Sequence, residues 1–218
     1  MTLAERKQET REALVVAALL AFARDGYHGA SLEGIATDAG YSKGAIYSNF
    51  DGKADLFLAV LDYNLAMLGE GWNPLDPPAA PTPDRSEEAT EVVRGVELAT
   101  LEFIATAARD TDLAAALRQR ITVMIERYRQ VAATARPADE RLGAEDVGTL
   151  MAAFDQGVSI LALIGISSVD GALLRAGLNR LIDPRRAADE AAPVSTDRST
   201  PLPLITRVQH AIQEADPQ

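Results

Sequence analysis

Residues 31–53 read Ser-Leu-Glu-Gly-Ile-Ala-Thr-Asp-Ala-Gly-Tyr-Ser-Lys-Gly-Ala-Ile-Tyr-Ser-Asn-Phe-Asp-Gly-Lys. This stretch decides the fold. Ser31 is placed to cap a short helix that buries Leu32, Ile35 and Ala36. Gly40 closes that helix, because glycine readily takes the left-handed conformation that ends one. Ser42 then caps a second helix, Lys43 to Asn49, by accepting from a free backbone N–H. Ile46 and Phe50, four apart, share its buried side. Lys43, Gly44, Tyr47 and Ser48 are left on the other side. Lys, Ser and Tyr contact phosphates, and small residues let a helix approach a base edge. Two short helices at a sharp turn enter a DNA major groove in this way.

Outward from this segment, the first helix is expected over about Arg6 to Arg24, with Leu14, Ala18, Ala21 and Phe22 on one face. A fourth is expected over about Gly52 to Leu68, with Leu56, Phe57, Val60, Leu61, Leu65 and Leu68 inward. Many of these positions carry a resemblance. Leu14, Ala17, Ala18 and Phe22, then Gly26-Tyr27, Ser31, Ile35-Ala36, Ala39-Gly40-Tyr41-Ser42, Gly44, Ile46-Tyr47, Phe50, Lys53 and Leu56-Phe57 follow one pattern without a gap. From Leu14 to Phe57 the chain resembles the TetR family of transcriptional regulators. The resemblance covers about the first 65 residues; beyond them the chain fits the family in length and helicity. Asn49 stands where the family often has a bulkier aromatic or His, and Gly52 precedes Lys53.

Composition bounds the alternatives. The 218 residues carry a net charge of −11 and no Cys. Disulfides, thiolate metal sites and cysteine nucleophiles are therefore excluded. The N-terminal residues lack the apolar run of a signal peptide. Gln156 to Val169, the longest nearly uncharged stretch, is short for a membrane span. A soluble, cytoplasmic protein is expected. Residues 1–68 hold six basic and nine acidic side chains. Salt screens charges beyond about 10 Å, so a local cluster of Lys43 and Lys53 with mobile Arg6, Lys7 and Arg11 can still meet phosphate. Low non-specific affinity with steep salt sensitivity follows.

The rest of the chain has helical hydrophobic periodicity and no sustained alternation of period two. Pro74 to Pro83 reads as an extended, mobile loop, since proline cannot occupy a helix interior. Helices are expected over about Ser86 to Arg109, Asp112 to Ala135, Glu145 to Ile166 and Val169 to Ile182. The fifth buries Val92, Val93, Val96, Thr100, Phe103, Ile104 and Ala107. Arg118, Arg120, Arg127 and Arg129 read as a solvated face of the sixth. The last two helices are apolar around much of their circumference, which requires partners on several sides. The same pair from a second chain would supply them, in a four-helix bundle about a two-fold axis. Asp183 to Pro203 has no periodic pattern and reads as disordered; Leu204 to Ala215 has the spacing of a short amphipathic helix.

The expected fold is all-α: an N-terminal three-helix helix-turn-helix DNA-binding domain (1–52), a C-terminal helical ligand-binding and dimerisation domain (53–183), and a tail (184–218). Lys43, Gly44 and Ala45 are assigned to base edges. Tyr47, Ser48 and Lys53 are assigned to phosphates, with Ser31, Ser42 and Asn49 beside them. The resemblance implies a cavity among the middle helices for a small apolar effector; periodicity nominates Phe103, Met124, Tyr128, Phe154 and Leu161, with Trp72 near the junction and Tyr128 and Gln156 as polar groups to orient it. The expected partners are a palindromic double-stranded operator, a second copy of the chain through helices 145–166 and 169–182, and an unidentified small molecule. No membrane partner, cofactor, metal or catalytic residue is expected. His28 and His210 stand far apart, and neither a phosphate loop nor a nucleophile elbow is present. A repressor released by its effector is the leading reading. A ligand-independent DNA-binding activator, and a helical carrier of small molecules without DNA binding, are the alternatives.

Overall fold

The computed structural model describes residues 2–67, 69, 72–76, 86–165 and 171–185. Eight helices and no strand are found among them: α1 (Leu3–Gly29), α2 (Leu32–Asp38), α3 (Lys43–Asn49), α4 (Lys53–Ala66), α5 (Ser86–Ala107), α6 (Thr111–Ala135), α7 (Ala144–Leu163) and α8 (Gly171–Ile182). The all-α architecture with an N-terminal helix-turn-helix is as expected. Residues 77–83 of the loop and the tail beyond Arg185, including the helix expected over Leu204 to Ala215, lie outside the described residues.

α1 begins three residues earlier than its apolar stripe suggests. Thr2 and Glu5 form a reciprocal capping box, each side chain bonded to the other's backbone N–H. The helix breaks at Gly26, whose φ of +73° belongs to the left-handed region. An added Cβ there would lie 2.9 Å from the Glu102 carboxylate, which accepts the His28 N–H at 3.1 Å.

The chain packs as two compact units, each with its own core. The first holds α1–α5 and α6 as far as Arg120; the second holds the described residues of 69–76 with α6 from Ile121, α7 and α8. This grouping runs differently from the expected division at 52/53, because α4 and α5 both pack on α1. In the first unit Phe57 stacks on Phe103 at 4.7 Å between centroids and meets Phe22 and Tyr27 edge-on. α5 approaches α1 so closely that a Cβ at Gly95 would fall 2.0 Å from the Ala23 carbonyl oxygen. Ile104, expected inward, is exposed.

The second unit buries Tyr128 and Ala132 of α6, Val147, Met151, Ala152 and Val158 of α7, and Leu174, Leu178 and Ile182 of α8. α7 is apolar enough, by length and composition, to cross a membrane, yet it supplies this core and carries the buried Asp155. Its second apolar face, with Leu150, Phe154, Leu161 and Ile164, is exposed. Arg136, 7% exposed, donates to the carbonyls of Leu142, Leu181 and Ile182 and so ties the end of α8 to the loop before α7.

Two expectations are corrected here. Residues 74–76, the described start of the proline-rich segment, form a turn and are not extended: Asn73 Oδ1 accepts from Leu75 N–H, and the Asn73 carbonyl accepts from Asp76 N–H, with Pro74 between. The α6 arginines do more than decorate a solvated face. Arg120 donates to the Leu58 carbonyl and to Asp62 of α4, Arg127 to the Gly69 carbonyl, and Arg129 to Thr149 of α7. Each guanidinium has several donors and reaches partners that periodicity cannot anticipate.

Candidate nucleic-acid interface

α2 and α3 are built by local chemistry. Ser31 Oγ accepts from Gly34 N–H at 3.1 Å and Ser42 Oγ from Ala45 N–H at 3.3 Å. Between them the chain turns through Gly40, at φ +74°. Gly40 N–H bonds the Thr37 carbonyl and Tyr41 N–H the Ala36 carbonyl, the two bonds of a Schellman motif. Ile35, Ala36, Ile46 and Phe50 are buried beneath. The opposite face of α3 is left to solvent: Lys43, Gly44, Tyr47 and Ser48 are exposed and Ala45 half-buried. A Cβ added at Gly44 would meet only Ser42 Oγ, at an unstrained 3.7 Å.

Two residues, Arg11 and Glu33, hold this helix from outside it. Arg11 of α1 donates to the Asn49 carbonyl at 2.7 Å, and its guanidinium lies 4.3 Å over the Phe50 ring. A cation there also meets the negative end of α3. Arg11 is thus pinned and not part of a mobile basic arm. Lys53 Nζ donates to the carbonyls of His28 and Ala30, at 2.9 and 3.0 Å, and lies 5.1 Å from the Tyr27 ring centroid. Two of its three N–H donors therefore close the end of α1, and one is left for phosphate. Asn49 turns onto its own helix, its amide bonded to the Ala45 carbonyl at 2.8 Å. Ser48 likewise gives its proton to that carbonyl. Glu33 of α2 pairs with Lys43 at 2.7 Å and accepts the Tyr47 hydroxyl at 3.3 Å. Sequence reading places Arg11 in a mobile basic arm, not at the end of α3, and misses Glu33 as a contributor. An acidic residue in a proposed DNA-binding turn was the available signal for Glu33.

The nominated effector residues do not converge. Phe103 is fully buried among the aromatic rings of the first unit. In the second unit, Trp72 meets Tyr128 edge-on at 5.0 Å, and Met124 packs against the same core. Phe154 lies against Gly177, while Gln156 and Leu161 are exposed. Asp155, and not its neighbour Gln156, receives the Tyr128 hydroxyl, because it falls in register with Val147, Met151 and Val158 on the buried face. A cleft of about 690 Å³ opens elsewhere in this unit. Its lining includes Trp72, Leu75, Val123, Arg127, Val131 and Thr134. No group of three His, Asp or Glu side chains suited to a metal occurs among the described residues.

A three-helix scaffold with a buried base and one exposed helix face defines a helix-turn-helix domain. Residues 14–60 match the family model described as bacterial regulatory proteins, tetR family. The N-terminal domain of this chain belongs to that family. The chain is 40% identical over 65 residues to the HTH-type transcriptional activator FasR of Mycolicibacterium smegmatis, covering 30% of each protein. It is 38% identical over 66 residues to the HTH-type transcriptional regulator AcrR of Shigella flexneri, covering 30% of this chain and 31% of the relative. The match thus spans less than a third of these relatives. The fold extends further. A full-length tetR regulator from Streptomyces fradiae, tylp, aligns over 97% of this chain and 100% of its own, with TM-score 0.53 and 22% identity. A transcriptional regulator from Rhodococcus sp. Rha1 aligns over 79% and 93%, with TM-score 0.53 and 21% identity. At these identities the likeness is one of fold.

Proposed function

We propose that this protein is a cytoplasmic, DNA-binding transcriptional regulator that places α3 in the major groove of a palindromic operator. The exposed face of α3, clear of bulky side chains at Gly44 and Ala45, is the observation that carries the reading. Lys43, Gly44 and Ala45 meet base edges. The hydroxyls of Ser31, Ser42, Ser48 and Tyr47 meet phosphates, together with the remaining donor of Lys53. Asn49 is bonded within its own helix, and two of the Lys53 donors are used on the carbonyls of His28 and Ala30. Gly44 supports close approach to DNA, since glycine inside a helix costs about 1 kcal/mol against alanine and the chain itself leaves room for a Cβ there.

The protein acts as a homodimer. The exposed apolar residues Leu150, Phe154, Ile160, Leu161 and Ile164 of α7, with Leu173 of α8, support a second copy packing there. The effector is a small, largely apolar molecule held in the second unit. The cleft beside Trp72 has the volume of a small-molecule site. Effector binding releases the operator by favouring a dimer whose recognition helices no longer match the half-site spacing, which requires unequal affinity for two states. Repression is the simplest outcome of such release. The relative named as an activator supports the opposite sign of control as a second reading.

Fluorescence anisotropy tests the core of this reading. The full chain is titrated against duplexes from the DNA flanking its own gene at two salt concentrations. Competitor-resistant binding that weakens with salt, and is lost in Lys43→Ala and Tyr47→Ala, is expected. Absence of binding to any duplex at low salt would favour a helical carrier of small molecules.

A further inference from the structure

Glu33 stands outside the residues assigned to DNA, yet its carboxylate holds two of them. Oε1 lies 2.7 Å from Lys43 Nζ and accepts the Tyr47 hydroxyl at 3.3 Å. Lys43 Nζ is in turn 5.8 Å from the Tyr47 ring centroid. The Glu33 and Lys43 side chains are 50% and 66% exposed. Exposed pairs contribute little to folding, so stability is a poor reason for an acid on this face. Lys43 holds the Glu33 carboxyl below the usual carboxylate range, and Glu33 holds the Lys43 ammonium above the usual lysine value. Both are charged at neutral pH.

We infer that Glu33 is a specificity-determining residue, an internal stand-in for a DNA phosphate that keeps Lys43 and Tyr47 from duplexes lacking the matched base edge. The inference rests on the DNA-binding reading above. Non-specific binding grows with the number of phosphates a protein neutralises. A lysine already paired to a carboxylate neutralises none. To reach a phosphate, Lys43 must leave Glu33, and the bare carboxylate then faces the phosphates. A base edge changes the balance. An ammonium has three N–H donors, so Lys43 can keep Glu33 and add a guanine acceptor. Glu33 therefore penalises phosphate-only binding more than matched binding, and this widens the ratio between the two, on which recognition in a genome depends.

The test compares wild type, Glu33→Gln, Lys43→Gln and the double variant as full chains. One duplex is selected by wild type from a random pool; the other is a scrambled duplex of equal length. Anisotropy is measured across a salt series, and far-UV circular dichroism checks the fold. Glu33→Gln is expected to tighten binding to the scrambled duplex about three- to tenfold and to change binding to the selected one less than twofold. Its salt slope on the scrambled duplex should steepen by about one, the increment for one more neutralised phosphate. The gain should shrink in the Lys43→Gln background, and the salt slope should no longer steepen, because Glu33 then has no lysine to withhold. Equal tightening on both duplexes, a gain undiminished without Lys43, or no change on either overturns the role of Glu33. If wild type enriches no duplex from the pool and binds neither duplex at any salt, the DNA-binding reading falls and this inference with it. That is distinct from a wild type that binds and a Glu33→Gln that behaves alike.

Discussion

The Tyr128 hydroxyl donates to Oδ2 of Asp155 across 2.6 Å, in a core where these residues are 1% and 8% exposed. A polar pair in that position contributes through the hydrogen bond that offsets its desolvation. Tyr128→Phe keeps the ring against Trp72 and removes the donor. It should destabilise the second unit by about 1–3 kcal/mol. Trp72 is the only tryptophan in the chain, so urea unfolding followed by its fluorescence reads this unit directly. A lower midpoint with unchanged slope is expected.

Lys43 and Lys53 look alike in sequence and are used differently. Lys43 is exposed on α3, while Lys53 closes the end of α1. Lys53→Gln should lower stability by about 1–3 kcal/mol, through its two bonds to carbonyls and its contact with Tyr27. Lys43→Gln should stay within about 0.5 kcal/mol of wild type and weaken salt-sensitive DNA binding. Thermal melting and anisotropy on the same two variants separate these roles.

Two glycines should respond oppositely to alanine. Gly95→Ala drives a methyl onto the Ala23 carbonyl and should cost about 1–3 kcal/mol or more as α5 is pushed off α1. Gly44→Ala meets only Ser42 Oγ, in ordinary contact, and should stabilise α3 by up to about 1 kcal/mol. It should also weaken operator binding, because the methyl stands on the face proposed to lie against the bases. A melt and a titration of each variant check both signs.

Ile164 is 70% exposed at the end of α7. An aspartate at this position, combined with Leu161→Asp, should leave the monomer folded and abolish the proposed dimer. Sedimentation equilibrium should show a dimer for wild type and a monomer for the double variant. A monomeric wild type would remove the two-fold model.

Acid should release the Glu33 clamp late. Glu33 has a folded pKa below its ordinary value because Lys43 is beside it. Its contribution is therefore fully present above the ordinary carboxylate pKa and is lost as pH falls through the lowered one. The small difference in melting temperature between wild type and Glu33→Gln should persist at pH 6 and disappear in strong acid. A difference that grows on acidification would contradict the pairing.

The turn between α2 and α3 was legible because each part of it is local. Ser31, Ser42 and Gly40 act on backbone groups three to five residues away, and their residue types are the ones those positions demand. The buried Ile46 and Phe50 followed from a four-residue spacing. The effector residues were less legible. Helical periodicity says that Phe103 and Tyr128 face inward, but not whether the space beside them is filled by other rings or open to a ligand. Gln156 was nominated over Asp155 although the charged neighbour lies on the buried stripe.

The sequence by itself determined that this chain is helical, where its short helices begin and end, and which face of α3 meets solvent. Near neighbours decide backbone caps and apolar faces, so these survive translation into one dimension. Only the tertiary structure decided what the polar side chains hold. Arg11 reaches the end of α3 from 38 residues away, Lys53 reaches the end of α1 from 25, and Tyr128 finds Asp155 from 27. Long cations and hydroxyls choose partners from whatever carbonyls and carboxylates helix packing brings within 3 Å. That choice is made after the helices dock, and no local pattern records it.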